Sequence, residues 1–235
     1  MRKEEKQSRY QIKFSPYKQS NRLQEQVVLE KVWVVPSVKG TGFPVHKWND
    51  YYQKVMHQWQ KRWDGELYWR SGIAFATSME QGRAFLPWKA ELTQTVTYQS
   101  ETVLSLVTEV REQWGKTQCR LIKYGDVWHL PSGIPALPWE FLNEKNGKKH
   151  LKQKLYQQFQ EMRQREDSHL PELTQKQFCK LCHIDQFART EQGLEFYIPQ
   201  RTLIQGQEGI LTFFIPLDVN QTKSEKEPIQ PVRQS

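Results

Sequence analysis

Residues 92–142 constrain the fold more than any other stretch of this chain, because three strand-like runs follow one another there. The runs are rich in β-branched and aromatic side chains, which fit the pleated surface of a sheet. Residues 117–130 also alternate between apolar and polar positions. The connector at 113–116 contains Gly115, which is free to adopt positive φ, so an antiparallel hairpin is predicted there.

Two stretches, one on each side of this centre, have the periodicity of amphipathic helices. Residues 46–63 repeat large apolar side chains at helical spacing: Trp48, Tyr52, Val55, Met56, Trp59 and Trp63. Residues 148–165 do the same with Leu151, Leu155, Tyr156, Phe159 and Met162. The expected fold class is therefore α+β, with antiparallel sheets packed against two amphipathic helices.

Further strands are predicted outside the centre. A first strand at 27–35 is expected to end at Pro36, and the first helix is expected to stop at Asp64 and Gly65. Residues 67–79 are interpreted as a strand with a bulge at Gly72. The last predicted strands are 178–189, 194–199 and 210–217, the first two forming a hairpin through a turn at 191–193.

The chain divides into four segments on composition. Residues 1–24 hold seven basic and two acidic residues and few apolar ones, so a disordered basic arm is predicted. Residues 25–90 form an N-terminal α+β subdomain, 91–219 a second α+β domain, and 220–235 a disordered polar tail. The join near residue 90 allows either one compact domain or two lobes that share a sheet.

The net charge of +8 admits nucleic acid or an acidic surface as a partner, but a lysine-rich solvated surface explains it equally. We favour the solvated surface because no dense basic cluster is apparent in the middle of the chain. Residues 1–25 lack the apolar core of a secretory signal, and no apolar run is long enough to span a membrane. As written, the chain is expected to be cytoplasmic, unless an upstream export or anchor segment precedes it.

Cys179, Cys182 and His183 form the sharpest local motif, C-x-x-C-H. This spacing is known from haem attachment, from redox pairs and from half of a zinc site. No axial partner or second cysteine pair accompanies it, since only Cys119 remains. Reduced structural cysteines are therefore the preferred interpretation, and no cofactor or metal is predicted.

Three aromatic residues near the central hairpin, Trp114, Tyr124 and Trp128, are the candidate ligand-binding residues, because exposed aromatic faces stack on ligands. Catalytic residues are not predicted. Glu91, Glu109 and Glu140 lie on different elements, and sequence gives no reason to place them in one cleft. Phosphate-binding loops, nucleophile elbows and zinc-protease motifs are absent from the sequence.

Several short segments recur in a characteristic order along the chain: Leu104, Ser105 and Leu106; Ser132 and Gly133; Leu137, Glu140, Phe141 and Leu142; Tyr156; residues 193–198; Glu208 and Gly209; and Ile215, Pro216 and Leu217. Their order resembles the domain of unknown function in the extracellular part of the RsiV anti-sigma factor, which also accompanies PdaC-type peptidoglycan deacetylases. The resemblance covers about residues 27–219, and its first part, with Trp48 and Asn49 on a helix, is similar to the subdomain that usually precedes that domain.

The resemblance implies a non-enzymatic binding or sensing domain that contacts a protein or glycan ligand. The chain departs from the family pattern at 114–116, where relatives carry a Gly-Gly-x-His loop, and relatives are usually extracytoplasmic. The RsiV domain binds lysozyme, but we do not expect this chain to bind it, because no residue here marks a lysozyme-contacting surface. The alternatives are a nucleic-acid-binding protein that uses the basic arm and exposed aromatics, and an enzyme without a visible signature.

Overall fold

A computed structural model describes residues 10–40, 43–116, 118–142, 146–166, 168–200, 202–203 and 209–217. Within them, nine strands form two sheets, so the α+β fold class is confirmed. The large sheet contains, in spatial order, β1 (Gln11–Leu23), β2 (Gln26–Lys39), β3 (Trp88–Gln99), β4 (Val103–Trp114), β5 (Gln118–His129) and β6 (Ile134–Pro135). The small sheet contains β7 (Phe187–Arg189), β8 (Gly193–Ile198) and β9 (Leu211–Pro216).

Helices connect the described strands at two places. Between β2 and β3 lie α1 (Phe43–Arg62), a π-helical segment (Trp63–Leu67) and α2 (Tyr68–Glu80). A 3₁₀ turn (Pro138–Phe141), α3 (Gly147–Arg163) and α4 (Gln175–Leu181) connect the two sheets. The helical crossover makes β2 and β3 parallel, whereas the other paired strands run antiparallel, as predicted.

The large sheet is the middle layer, which the alternation of side chains along β4 shows directly. Leu104 and Leu106 pack with Trp48 and Tyr52 of α1. Val107, on the opposite face, packs with Ala188 and Tyr197 of the small sheet. The far side of the small sheet is covered by three fully buried α3 side chains, namely Leu151, Leu155 and Phe159.

Gly125 of β5 allows the two sheets to meet. A Cβ added at this position would lie 2.4 Å from the carbonyl carbon of Phe187 and 2.5 Å from the backbone nitrogen of Ala188. The backbone of β7 therefore occupies the volume that any other side chain would need. Beside it, the Arg189 backbone N–H donates to the hydroxyl of Ser105 at 2.9 Å, although both residues are buried.

Side-chain amides hydrogen-bond to strand edges at three points. Asn49 of α1 accepts from the Val38 N–H at 2.8 Å and donates to the Val38 carbonyl at 3.2 Å, so it replaces a neighbouring strand. Gln158 of α3 makes the same pair of bonds with the Phe214 backbone of β9. Gln200 accepts from the Leu121 N–H of β5 at 2.8 Å. These bonds satisfy edge groups that would otherwise be free to pair with another chain.

The predicted disordered arm is wrong for residues 11–23, which form β1 and pair with β2 along its whole length. Almost every side chain of β1 is exposed, because β1 is an edge strand with solvent on both faces. Its composition therefore matches that of a disordered segment, although Tyr17 stacks on Trp33 with centroids 5.6 Å apart. Residues 1–9 and the predicted tail at 220–235 lie outside the described residues.

The predicted strand at 67–79 is also wrong, because this segment is α2. Its buried residues, Leu67, Ser71 and Phe75, recur every fourth position, which is a helical spacing. Asp64 and Gly65 do not end α1, since the π-helical segment carries the helix past them. Asp64 there accepts a hydrogen bond from the fully buried Lys31 of β2. Pro36 likewise does not end the first strand, because β2 continues to Lys39.

The predicted strand at 178–189 is correct only for 187–189. Residues 175–181 form α4, which begins with a capping box between Thr174 and Gln177. This T-x-x-Q pattern is a helix-start signal that the apolar content of the segment obscures. The central strands, α1, α3, β8, β9 and the hairpin between β7 and β8 are confirmed. The join proposed near residue 90 falls inside β3, so the large sheet takes strands from both sides of it.

We expect Gly125→Ala to lower the free energy of unfolding by roughly 3 kcal/mol, because the new methyl group would push β7 away from β5. Gly65→Ala is the matched control, since no atom lies within 4 Å of its added Cβ. Urea denaturation followed by tryptophan fluorescence measures both. Equal stability of the two variants would contradict the close packing of the sheets at Gly125.

Asn49→Ala should lower the free energy of unfolding by about 1–3 kcal/mol, because it leaves the Val38 N–H and carbonyl without their partners. Gln53→Ala, at an exposed position of the same helix, controls for helix propensity. Hydrogen exchange provides a second measurement, since the Val38 amide should lose protection in the Asn49 variant alone. Retained protection at Val38 would show that the amide contact is not needed.

Candidate functional site

A groove of about 970 Å³ lies between the 3₁₀ turn, the first turns of α3, and α4. We call it the lysine groove. Its lining residues are Trp139, Asn146, Gly147, Lys148, Lys149, Lys152, Gln175, Lys176, Cys179 and Lys180. Five of these ten residues are lysines and none is acidic, so the described lining carries a formal charge of +5.

The 3₁₀ turn forms the end wall of the lysine groove. A Cβ at Gly147 would lie only 3.2 Å from the Cβ of Trp139, so the absence of a side chain lets the turn approach the start of α3. The ammonium of Lys148 lies 4.6 Å from the centroid of the Trp139 ring. This cation–π contact holds the first lysine of α3 at the mouth of the groove.

The lysines of α3 stand at the unfavourable end of their helix. Lys148 and Lys149 lie in the first turn, which contains no acidic residue, and Asn146 makes no side-chain cap. Unpaired N–H groups and the helix dipole make a helix N-terminus positive, so cations placed there are repelled. Among the described residues, no salt bridge to a carboxylate offsets either lysine. A bound anion would relieve this repulsion.

Helix α4 supplies the other wall with the same sign of charge. Its capping box uses the neutral Gln177, and its first turn also lacks an acidic residue. Lys176 and Lys180 are exposed, whereas Cys179 between them is half-buried. The groove therefore offers exposed ammonium donors beside the half-buried Cys179, an arrangement that can bind anions, and its described lining contains no acid–base pair.

The candidate aromatic residues do not share a site. Trp114 is half-buried at the end of β4, with its ring centroid 6.0 Å from that of Trp88. Tyr124 and Trp128 lie under α1, where Tyr124 hydrogen-bonds with Trp59 and Thr108. Trp128 is 6% exposed, so the expectation that its ring is exposed is wrong. It packs inside the molecule because its position on β5 faces α1.

Next to Tyr124 and Trp128 is a half-buried carboxyl group, Asp126. The hydroxyls of Tyr51 and Tyr52 donate to its two oxygens at 3.3 Å each. The Trp128 indole N–H donates to the Tyr52 hydroxyl, also at 3.3 Å. Burial raises the pKa of Asp126 to about 6, and the two tyrosine hydrogen bonds offset part of that increase.

The cysteine motif spans the end of α4 rather than a strand. Cys182 is 1% exposed, and burial raises its pKa to about 12. Burial also raises the pKa of Cys179, although nearby Lys152 partly opposes this. Neither thiol has the lowered pKa of a reactive cysteine. His183 is exposed, and no three His, Cys, Asp or Glu side chains among the described residues converge to hold a metal ion.

The structure brings together two of the three carboxylates considered above. Glu91 and Glu109 line a cleft of about 500 Å³ between the large sheet and β9, together with Arg111 and Lys123. Lys123 forms a salt bridge with Glu109 at 3.0 Å, so the charges in this cleft are balanced. Glu140 lies elsewhere and pairs with His129 at 2.6 Å.

Sequence reasoning missed the lysine groove. The expectation that the middle of the chain has no dense basic cluster is wrong, because Lys148, Lys149 and Lys152 lie within five consecutive positions. Lys176 and Lys180 are more than twenty residues further along the chain. Only the packing of α4 on α3 makes one basic surface of the five. The apolar segment at 137–142, noted for its place in the resemblance, contributes the end wall through Trp139.

The fold and the groove together define an α+β domain with a basic concave surface, and a solved structure shares the fold. A DUF3298 family member from Bacteroides fragilis NCTC 9343 matches with a TM-score of 0.58 and 11% identity, over 89% of this chain and 92% of that one. A DUF3298 family protein from Pseudomonas aeruginosa PAO1 gives a TM-score of 0.47 and 10% identity, over 88% of this chain and 89% of that one. At 11% identity, the similarity to the Bacteroides fragilis structure is one of fold alone.

No family model matches the sequence, and no curated protein matches it significantly. Both structural neighbours are members of a bacterial family whose function is unknown. No helix in the described part of the chain is long and apolar enough to cross a membrane.

Stability should depend on pH through Asp126. Its pKa is about 6 in the fold and 3.8 in an exposed chain, so the folded state holds the proton more tightly. The resulting stabilisation is complete below about pH 4, falls as the pH rises towards 6, and amounts to roughly 1–3 kcal/mol. Asp126→Asn removes it, so the unfolding free energy of the variant relative to the parent should rise by that amount between about pH 4 and 7. A pH-independent difference in urea denaturation would contradict this.

Proposed function

We propose that this chain is a non-enzymatic binding domain that takes an anionic ligand in the lysine groove. The observation that carries the proposal is the convergence of five lysines on one cavity whose described lining contains no carboxylate. Clefts lined by one sign of charge concentrate ligands of the opposite sign. Lys148 and Lys149 are repelled by the positive N-terminus of α3, which lowers the stability of the free protein. A bound anion would offset this repulsion.

Binding explains the groove better than catalysis does. The ten lining residues include no histidine or acidic residue that could act as a general base. The nucleophile in the lining, Cys179, has a pKa that burial raises, which keeps it protonated at neutral pH. Lysine ammonium groups supply charge and hydrogen bonds to an anion without needing a proton transfer.

The resemblance to the RsiV-like domain supports the same class of function, because relatives of that kind bind or sense ligands outside the membrane. The structural neighbours add nothing about the ligand, since their own function is unknown. Nucleic-acid binding through a basic arm is less well supported, because residues 11–23 are an edge strand and Trp128 is buried.

An NMR titration with inorganic pyrophosphate tests the site. We expect amide shifts to concentrate at Gly147, Lys148 and Lys149 and in the first turn of α4, next to the lysines that line the groove. The double variant Lys149→Glu with Lys176→Glu should weaken binding about tenfold, because it replaces two attractive contacts with repulsive ones.

The control is Lys54→Glu with Lys89→Glu, which changes the net charge equally at exposed positions outside the groove. Control and parent should bind pyrophosphate alike. If both double variants weaken binding equally, the effect belongs to net charge and the groove is not a site. If pyrophosphate produces no localised shifts, the proposed function fails.

A further inference from the structure

The lysines of the groove are arranged in rows rather than around one point. Lys148 and Lys152 are separated by four residues of α3, and Lys176 and Lys180 by four residues of α4. Four residues of an α-helix advance about 6 Å along its axis. Each wall therefore presents a pair of cations on one face, one turn apart, and α3 adds Lys149 next to its pair.

This spacing decides what size of anion can use the whole groove. Because the two lysines of a row are about 6 Å apart along the helix axis, we expect a single phosphate to pair with only part of the lysine set. A chain that carries an anionic group at intervals of about one helical turn would place successive charges beside successive lysines. A volume of about 970 Å³ is also large enough to hold several linked rings.

We propose that the ligand of the lysine groove is a linear anionic glycan, with one carboxylate, sulfate or phosphate on about every sugar. This inference depends on the proposed function and specifies its ligand class. Asn146 and Gln175 support it, because both line the groove as exposed amides that can pair with sugar hydroxyls.

Two features of the groove favour a glycan over a single-stranded nucleic acid. Nucleic-acid sites stack bases on aromatic faces, but Trp139 is the aromatic residue of the described lining and the Lys148 ammonium covers its ring at 4.6 Å. The lining also uses lysine throughout and contains no arginine. Arginine guanidinium planes stack on the unpaired bases of single strands, so the described lining lacks a second kind of group that such sites use.

The length of the ligand provides the test. Calorimetry with the full chain would compare oligogalacturonates of two, four and six sugars, which carry one carboxylate per sugar, with neutral maltohexaose, pyrophosphate and the DNA oligonucleotide dT6. We expect affinity to rise about tenfold from the dimer to the tetramer and to fall steeply with salt, since several ion contacts form at once. Maltohexaose should not bind.

Removal of one lysine from each row should shorten the recognised ligand. Lys152→Gln with Lys180→Gln is expected to reduce tetramer affinity to that of the dimer. Pyrophosphate affinity should fall by a smaller factor, because the lysines at the start of α3 remain. The control pair Lys54→Gln and Lys89→Gln should leave both affinities unaltered. Circular dichroism would confirm that each variant is folded.

Different outcomes overturn different statements. If pyrophosphate binds as tightly as the hexamer, the groove still takes an anion, but the ligand is not a chain. If dT6 binds more tightly than the hexamer, the glycan assignment is wrong and a nucleic acid is the ligand. If none of the anions binds, the proposed function fails together with its ligand class.

Discussion

The contact between β5 and β7 at Gly125 is the constraint on which the rest of the molecule depends. The two backbones approach so closely that no side chain fits between them. This contact seats the small sheet on one face of the large sheet, while α1 covers the opposite face. The small sheet in turn supports α3 and α4 through a shared core that includes Phe159, Phe178 and Phe213. The position of the lysine groove therefore depends on the packing of α3 and α4 on the small sheet, and on the packing of that sheet against β5 at Gly125.

Side-chain amides form hydrogen bonds with backbone groups at strand edges that apolar packing does not cover. The edges of β2, β5 and β9 each receive an amide side chain, from Asn49, Gln200 and Gln158 respectively. Such bonds are individually modest, but an unpaired backbone group at an edge invites association with other chains. Where α1 ends, Arg62 makes two hydrogen bonds of 2.8 and 2.9 Å to the buried Glu112 of β4, and this ties the π-helical segment to the sheet.

The lysine groove differs from the remainder of the described structure in how its charges are compensated. Elsewhere the buried charges of Glu112 and Lys31 are paired, with Arg62 and Asp64 respectively. In the groove, by contrast, cations gather at a helix N-terminus without described carboxylate partners. Local departures of this kind are expected at functional surfaces, because interactions that destabilise the free protein can be compensated when a ligand binds. The carboxylate-bearing cleft beside β9 shows the opposite pattern, since Glu109 is already neutralised by Lys123.

The elements with strong periodicity could be predicted from the sequence without the structure. The helices α1 and α3, the central strands and the β7–β8 hairpin follow from spacing and turn residues alone. Prediction from the sequence failed for β1, whose exposure on both faces removes any pattern, and for α2, whose mixed composition hides a four-residue repeat of buried positions. The site depends on tertiary packing. That packing buries Trp128 under α1, and it brings Lys176 and Lys180 close to Lys148, Lys149 and Lys152 of α3. Local patterns report which face of an element is apolar, but which polar faces meet depends on packing between elements distant in the chain.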